Sequence, residues 1–192
     1  MSCAELSELL SVDRGKLPYT MYDQNYTSQV SLTNYDMSLA PGRTYRYFTG
    51  KPLFEFGTGL SLTTFTHDPC SCSQRQGQQH QTQADTVDFE CFCQLKNTGS
   101  RSGDEVILVY DSLSAGIRSI VNGAHPLPGK RLINFARTSL DAGETTQVQF
   151  EILASELSVT TADGSPKLYE GTHNLVFSRG NGKDVVVPVA IS

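Results

Sequence analysis

The sequence has no tryptophan, only three methionines and no run of basic residues. Lys and Arg total 15 against 20 Asp and Glu, for a formal net charge of −5. Without a Lys/Arg cluster there is no electrostatic footprint for a nucleic-acid backbone or an anionic membrane surface, and neither is expected as a partner. No apolar run approaches the roughly 18 residues needed to cross a bilayer. The opening stretch, MSCAELSELLSVD, has no basic n-region and no continuous apolar core, so it does not read as a secretory signal. The four histidines stand in no Ser/Cys–His–Asp order and are expected to be structural, with His80 solvated in a Gln-rich loop.

What is present reads mainly as β-structure. Hydrophobic content is 38%, modest but adequate for a sandwich core. Val87, Phe89, Cys91, Cys93 and Leu95 alternate with mostly polar neighbours, the pattern of a half-buried strand. Further strands are expected near Leu62–His67, over Glu105–Asp111, Arg131–Leu140 and Thr146–Ile152, and in a hairpin of Thr172–Ser178 with Asp184–Ile191. Residues 112–128 carry three breakers and read as a loop, and 157–167 as irregular. About seven short strands with turn signals between them predict an immunoglobulin/fibronectin III-like antiparallel β-sandwich. Before it, Ser2–Val12 reads as a short helix with Leu6, Leu9 and Leu10 on one face. Residues 19–40 look extended or loop-like, and 73–85 (SQRQGQQHQTQAD) is a polar low-complexity loop.

Five cysteines are present, four of them in two C-x-C pairs. Residues two apart share a strand face. If the two segments pair antiparallel, Cys70 can reach Cys93 and Cys72 can reach Cys91, although three pairings are formally open. Reduced thiols filling core positions are one alternative. A four-thiolate zinc site is another, against which the one-residue spacing counts. Asn25-Tyr26-Thr27 is a formal glycosylation sequon, a triplet that also arises by chance.

The densest segment is 41–65, PGRTYRYFTGKPLFEFGTGLSLTTF. Six aromatics (Tyr45, Tyr47, Phe48, Phe54, Phe56 and Phe65) crowd into it, with no helical or strand periodicity. That suits a connector whose rings dock on neighbouring surfaces while its glycines permit tight turns. Arg43 and Arg46 either reach carboxylates of another domain or stack locally on Tyr45 or Tyr47.

Four blocks resemble glycoside hydrolase family 3 enzymes, in order. They are Gly15-Lys16-Leu17-Pro18-Tyr19-Thr20; Pro41–Tyr47 with Phe56-Gly57-Thr58-Gly59-Leu60-Ser61 and Thr64-Phe65; Lys96-Asn97-Thr98-Gly99 through Gly103-Asp104-Glu105-Val106; and Gly143-Glu144-Thr145 with Phe150, Gly171-x-His173 and Phe177-Ser178-Arg179-Gly180. The stretch Tyr22–Met37 and the FSRG block resemble the β-xylosidase branch. Leu62 departs from the family's usual Tyr, and neither the 73–85 insert nor the C-x-C pairs is a family feature.

The resemblance implies two parts. Residues 1–60 would be the end of an α/β-sandwich domain plus its linker, and 61–192 a fibronectin III-like domain. Arg43, Tyr45, Arg46, Phe54 and Phe56 would then contact catalytic domains, which are the expected partners. Family 3 enzymes are retaining glycosidases needing two carboxyl groups about 5–5.5 Å apart. Both family carboxylates precede this chain, so no catalytic residue, cofactor or metal is carried over. The implied parent is an extracellular or secretory-pathway β-xylosidase acting on xylan-derived oligosaccharides. Locally, Asp104-Glu105, Asp141, Glu144, Glu151 and Glu156 are expected on solvent faces or turns, and Glu55 among connector aromatics. The competing classes are a stand-alone interaction or polysaccharide-binding sandwich, which needs an exposed aromatic row, and a truncated gene product.

Overall fold

The computed structural model describes residues 15–75, 87–121, 123–181 and 183–191. The expected helix at 2–12, most of the 73–85 loop and His80 lie outside these residues. The strands are β1 (Phe65–Thr66), β2 (Cys70–Gln74), β3 (Val87–Asn97), β4 (Gly103–Leu113), β5 (Arg131–Leu140), β6 (Thr145–Leu153), β7 (Val159–Thr160), β8 (Pro166–Lys167), β9 (Gly171–Ser178) and β10 (Val185–Ile191). In one sheet β3 pairs with β6 along one edge and with β1 and β2 along the other. The second runs β10-β9-β4-β5, every pair antiparallel. Strands β7 and β8 form a separate two-stranded ribbon.

The core lies between the two sheets. Phe89, Cys91, Cys93 and Leu95 of β3 and Val148, Phe150 and Ile152 of β6 meet Ile107 and Val109 of β4 and Leu175 and Phe177 of β9. The period-2 alternation therefore put the right set inside. Phe150 and Phe177 pack across the sheets with ring centres 5.7 Å apart. The expected Leu62–His67 strand shortens to Phe65–Thr66. The expected loop at 112–128 contains a helix, α1 (Ala115–Val121). Its Ile117 and Val121 complete a second small core with Leu113, Val159 and Tyr169. Gly116 hid this helix in the sequence. It is too short for the periodic signal to outweigh the breakers around it.

Strand β4 is buried on both faces. Ile107 and Val109 point into the sandwich, while Leu108 and Tyr110 are covered by the connector. That explains why EVILVYD reads as a continuous apolar run rather than an alternating one.

Strand β2 carries no large apolar side chain (Cys-Ser-Cys-Ser-Gln), yet it is held against β3 at register Cys70↔Cys93 and Cys72↔Cys91. Disulfides join both pairs, with Cα separations of 4.1 and 4.0 Å. The two links are nested, spanning 23 and 19 residues, so either one closes nearly the same loop. Chain-entropy reasoning assigns such a loop about 3 kcal/mol. In urea unfolding, the oxidised-minus-reduced stability difference of a C70A/C93A variant should therefore nearly equal that of the unmodified chain. A halved difference would contradict this.

Candidate functional site: the junction of connector and sandwich

Glu105 follows a Gly turn in sequence and was expected on a solvent face. The structure corrects this: it is 3% exposed. Its carboxylate accepts from Lys16 Nζ at 2.7 Å and from Arg179 NH1 at 3.2 Å. Lys16 also donates to the Arg179 carbonyl at 2.5 Å. Arg179 Nε donates to His67 Nδ1 at 3.0 Å, and His67 Nε2 lies 3.0 Å from the Phe177 carbonyl. His67 thus accepts on Nδ1 and donates from Nε2, the neutral tautomer. Burial, with the Arg179 charge adding to it, pushes its pKa down.

The backbone around this cluster is equally specific. Leu17 N donates to Thr58 O at 2.9 Å and Gly57 N to Leu17 O at 2.8 Å. Gly59 N donates to the Asn181 side chain. Gly57 and Gly180 both have positive φ, and a Cβ on Gly180 would sit 2.0 Å from Gly57 O. Glycine is required there by conformation and by space. Residues from all four sequence blocks lie at or beside this region. Lys16 comes from the first, Gly57 from the second, Glu105 from the third and Arg179 from the fourth. Asn97, fully buried in the third block, accepts from Thr63 Oγ1 at 2.7 Å and donates to the Arg101 and Leu140 carbonyls, which fixes the turn before β4.

A few residues along β4 the connector's rings take over. Tyr45 stacks on Phe56 at 4.5 Å and lies 5.8 Å from Tyr110. Its hydroxyl accepts from Leu132 N. Lys130 Nζ sits 4.8 Å over the Tyr110 ring and 3.5 Å from Glu55. Of the other connector residues singled out from sequence, Phe54 is half exposed, and its backbone pairs with Met21. Arg46 lies 5.8 Å from the Tyr47 ring, the local stacking alternative. Arg43 donates to the Ser31 carbonyl of the preceding 19–40 segment.

A second buried charge cluster lies further along β4. The Asp111 carboxylate accepts from Arg131 at 2.8 Å and from His173 Nδ1 at 3.1 Å. His173 Nε2 faces the Tyr169 carbonyl at 3.0 Å, so both ring nitrogens meet acceptors. Burial opposes the imidazolium, but the hydrogen bonds and the Asp111 charge outweigh it, and the pKa is raised. Sequence reading did not single out Asp111 or Arg131, because a charge inside an apolar run shows nothing of its partner 20 positions later.

The carboxylates considered as catalytic candidates hold structural positions. Asp104 binds Arg137 and Ser139, Glu144 caps Asp141 N, and Glu156 accepts from Leu153 N. Glu151 lies 3.9 Å from Arg75, and Glu55 is paired with Lys130. Glu105 is held by two cations, Lys16 and Arg179, and Asp111 by the Arg131 guanidinium and the His173 imidazole. This arrangement positions a connector.

Residues 105–179 match the fibronectin type III-like domain, the class to which the sandwich corresponds. The chain is also 30% identical over 191 residues to the exo-1,4-beta-xylosidase xlnD of Emericella nidulans, covering 90% of this chain and 22% of that protein. It is 28% identical over 189 residues to Beta-D-xylosidase 3 of Arabidopsis thaliana, covering 84% and 23%. The solved GH3 exo-beta-xylosidase XlnD, in complex with a xylobiose aziridine probe, superposes with a TM-score of 0.70 over 92% of this chain and 25% of its own, at 24% identity. That superposition establishes the shared fold. The chain is homologous to the C-terminal part of family 3 glycoside hydrolases of the β-xylosidase branch, and it spans under a quarter of the length of those curated relatives.

Replacing Glu105 with Gln leaves Lys16 and Arg179 as cations against a neutral, largely buried partner, a change that typically costs about 3–5 kcal/mol. Urea unfolding of E105Q should show a loss of that order. A loss within about 0.5 kcal/mol, the range of an ordinary surface change, would contradict the cluster's role. The two histidines should titrate on opposite sides of about 6.5. His67, depressed, contributes stability present above 6.5 that is lost as pH falls through its folded pKa. His173, raised, contributes stability present below 6.5 that is lost as pH rises through its folded pKa. Imidazole NMR titration checks both directions.

Proposed function

We propose that this chain is the C-terminal accessory part of a β-xylosidase-like family 3 glycosidase, which cleaves O-glycosyl bonds in xylan-derived oligosaccharides. In this reading the chain contributes no catalytic group. It holds the end of the preceding α/β domain and its linker, residues up to about 60, rigidly on the sandwich formed by 61–192.

The observation that carries the reading is the distribution of exposed apolar side chains. Among the described residues, thirteen large hydrophobics are exposed, and ten of them lie between Tyr19 and Leu62. Leu32, Tyr35 and Leu60 are 88%, 88% and 91% exposed. Apolar exposure concentrated in one segment marks a surface that another body covers. The partner best matched to it is the catalytic domains of the same enzyme, with Phe54 among the contact residues. Tyr45 and Phe56 act one layer beneath, setting the connector's course over β4. The disulfides Cys70–Cys93 and Cys72–Cys91 require an oxidising compartment, which favours an extracellular or secretory-pathway parent.

The test is hydrolysis of an aryl β-xyloside by the purified 192-residue chain. No turnover from a cooperatively folded chain is expected. Turnover that disappears in E55Q or D104N would overturn the reading by revealing a complete site here.

A further inference from the structure

We propose that Asn25 is an N-glycosylation site, the modification being transfer of an oligosaccharide to its side-chain amide in the secretory pathway. The proposal rests on the compartment assigned above through the disulfides, but it is carried by a separate set of observations.

Of the seven asparagines, Asn25 alone is followed two residues later by Ser or Thr, with a non-proline residue between. Both Asn25 and Thr27 are exposed. They lie in a 3-10 turn, Gln24–Ser28, that contains no buried residue. The turn is held mainly by its middle residue. Tyr26 stacks on Tyr22 at 3.8 Å with planes 6° apart, meets the edge of Phe48 at 5.5 Å, and donates its hydroxyl to Gly42 O at 3.0 Å. With Tyr26 anchored inward, its two neighbours are left on the solvent side. The Asn25 backbone is engaged, its N–H donating to Asp23 Oδ1 and its carbonyl accepting from Ser28 and Gln29. Its side-chain amide makes no hydrogen bond among the described residues. Among the described residues Thr27 gives its hydroxyl to Gln24 O alone, at 3.1 Å, an exposed bond that opens at little cost.

The donor would be a lipid-pyrophosphate-linked oligosaccharide. Asn25 Nδ2 forms a bond to the anomeric carbon. The bond from that carbon to the pyrophosphate oxygen breaks, the lipid pyrophosphate leaves with the electron pair, and one amide proton is lost to base. A glycan here is bulky and hydrated, so it would mark a part of the 19–40 segment that stays in solvent when the apolar residues around it are covered.

The test is secretion of the full chain, behind a eukaryotic leader, with intact-mass and thiol analysis of the product. The expected product is heavier by one oligosaccharide, is restored to the peptide mass by an amidase that releases N-glycans, and has no thiols at Cys70, Cys72, Cys91 and Cys93. N25Q and T27A should each lose the added mass completely, T27S should keep it, and all three should melt as the unmodified chain does. A secreted chain with both disulfides and no glycan overturns the site while leaving the compartment reading intact. A chain with neither overturns both. A glycan that persists in N25Q overturns the assignment to Asn25.

Discussion

The Glu105 carboxylate is the constraint on which the arrangement of this chain depends. A buried carboxylate is tolerable only when cations and donors replace the water it has lost. Here they come from two distant places: Lys16, 89 positions upstream, and Arg179, 74 positions downstream. Satisfying Glu105 therefore brings the Gly15–Thr20 segment and the end of β9 to the same end of β4. The neutral tautomer of His67, the Gly57–Gly180 contact and the Leu17 hydrogen bonds follow from that convergence. Each closes space around charges that must be kept from water.

Strand β4 then works in two directions. Its inward residues build the sandwich core, and its outward residues, Leu108 and Tyr110, give the connector a surface to lie on. The Tyr45–Phe56 stack and Lys130 over Tyr110 are the visible result. At its far end Asp111 repeats the logic of Glu105, with Arg131 and His173 as its partners. One strand thus carries two buried carboxylates, each anchoring a different return of the chain. The connector's deep rings face the sandwich, and its remaining apolar side chains stay outside, which is why an accessory role beside a larger body suits it better than an independent one.

Much of the sandwich was legible because its signals are local. The alternation of Phe89, Cys91, Cys93 and Leu95 and of Val148, Phe150 and Ile152 needs no knowledge of the fold. The Asn97-Thr98-Gly99 turn is likewise a local signal, and here its Asn also ties three segments together. Helix α1 was not legible, because seven residues around Gly116 give too few turns for a periodic pattern. The ribbon of β7 and β8, two residues a strand, is beneath any sequence threshold. Glu105 was misread for a different reason. A charged residue after a glycine turn is usually solvated, and only the tertiary approach of Lys16 and Arg179 reverses that. The sequence blocks containing Lys16, Gly57, Glu105 and Arg179 were visible, but their meeting at one point was not.

The central claim is that connector and sandwich form one cooperative unit through this junction. Native-state hydrogen exchange at the Gly129 and Leu132 amides tests it most directly, since each donates across the seam, to Arg46 O and to the Tyr45 hydroxyl. The account predicts that both exchange with an opening free energy close to that of the core amides of β4, and so only on global unfolding. Exchange of these two amides through local opening, several kcal/mol below the core, would show that the connector merely rests on the sandwich and that the Glu105 cluster does not hold it.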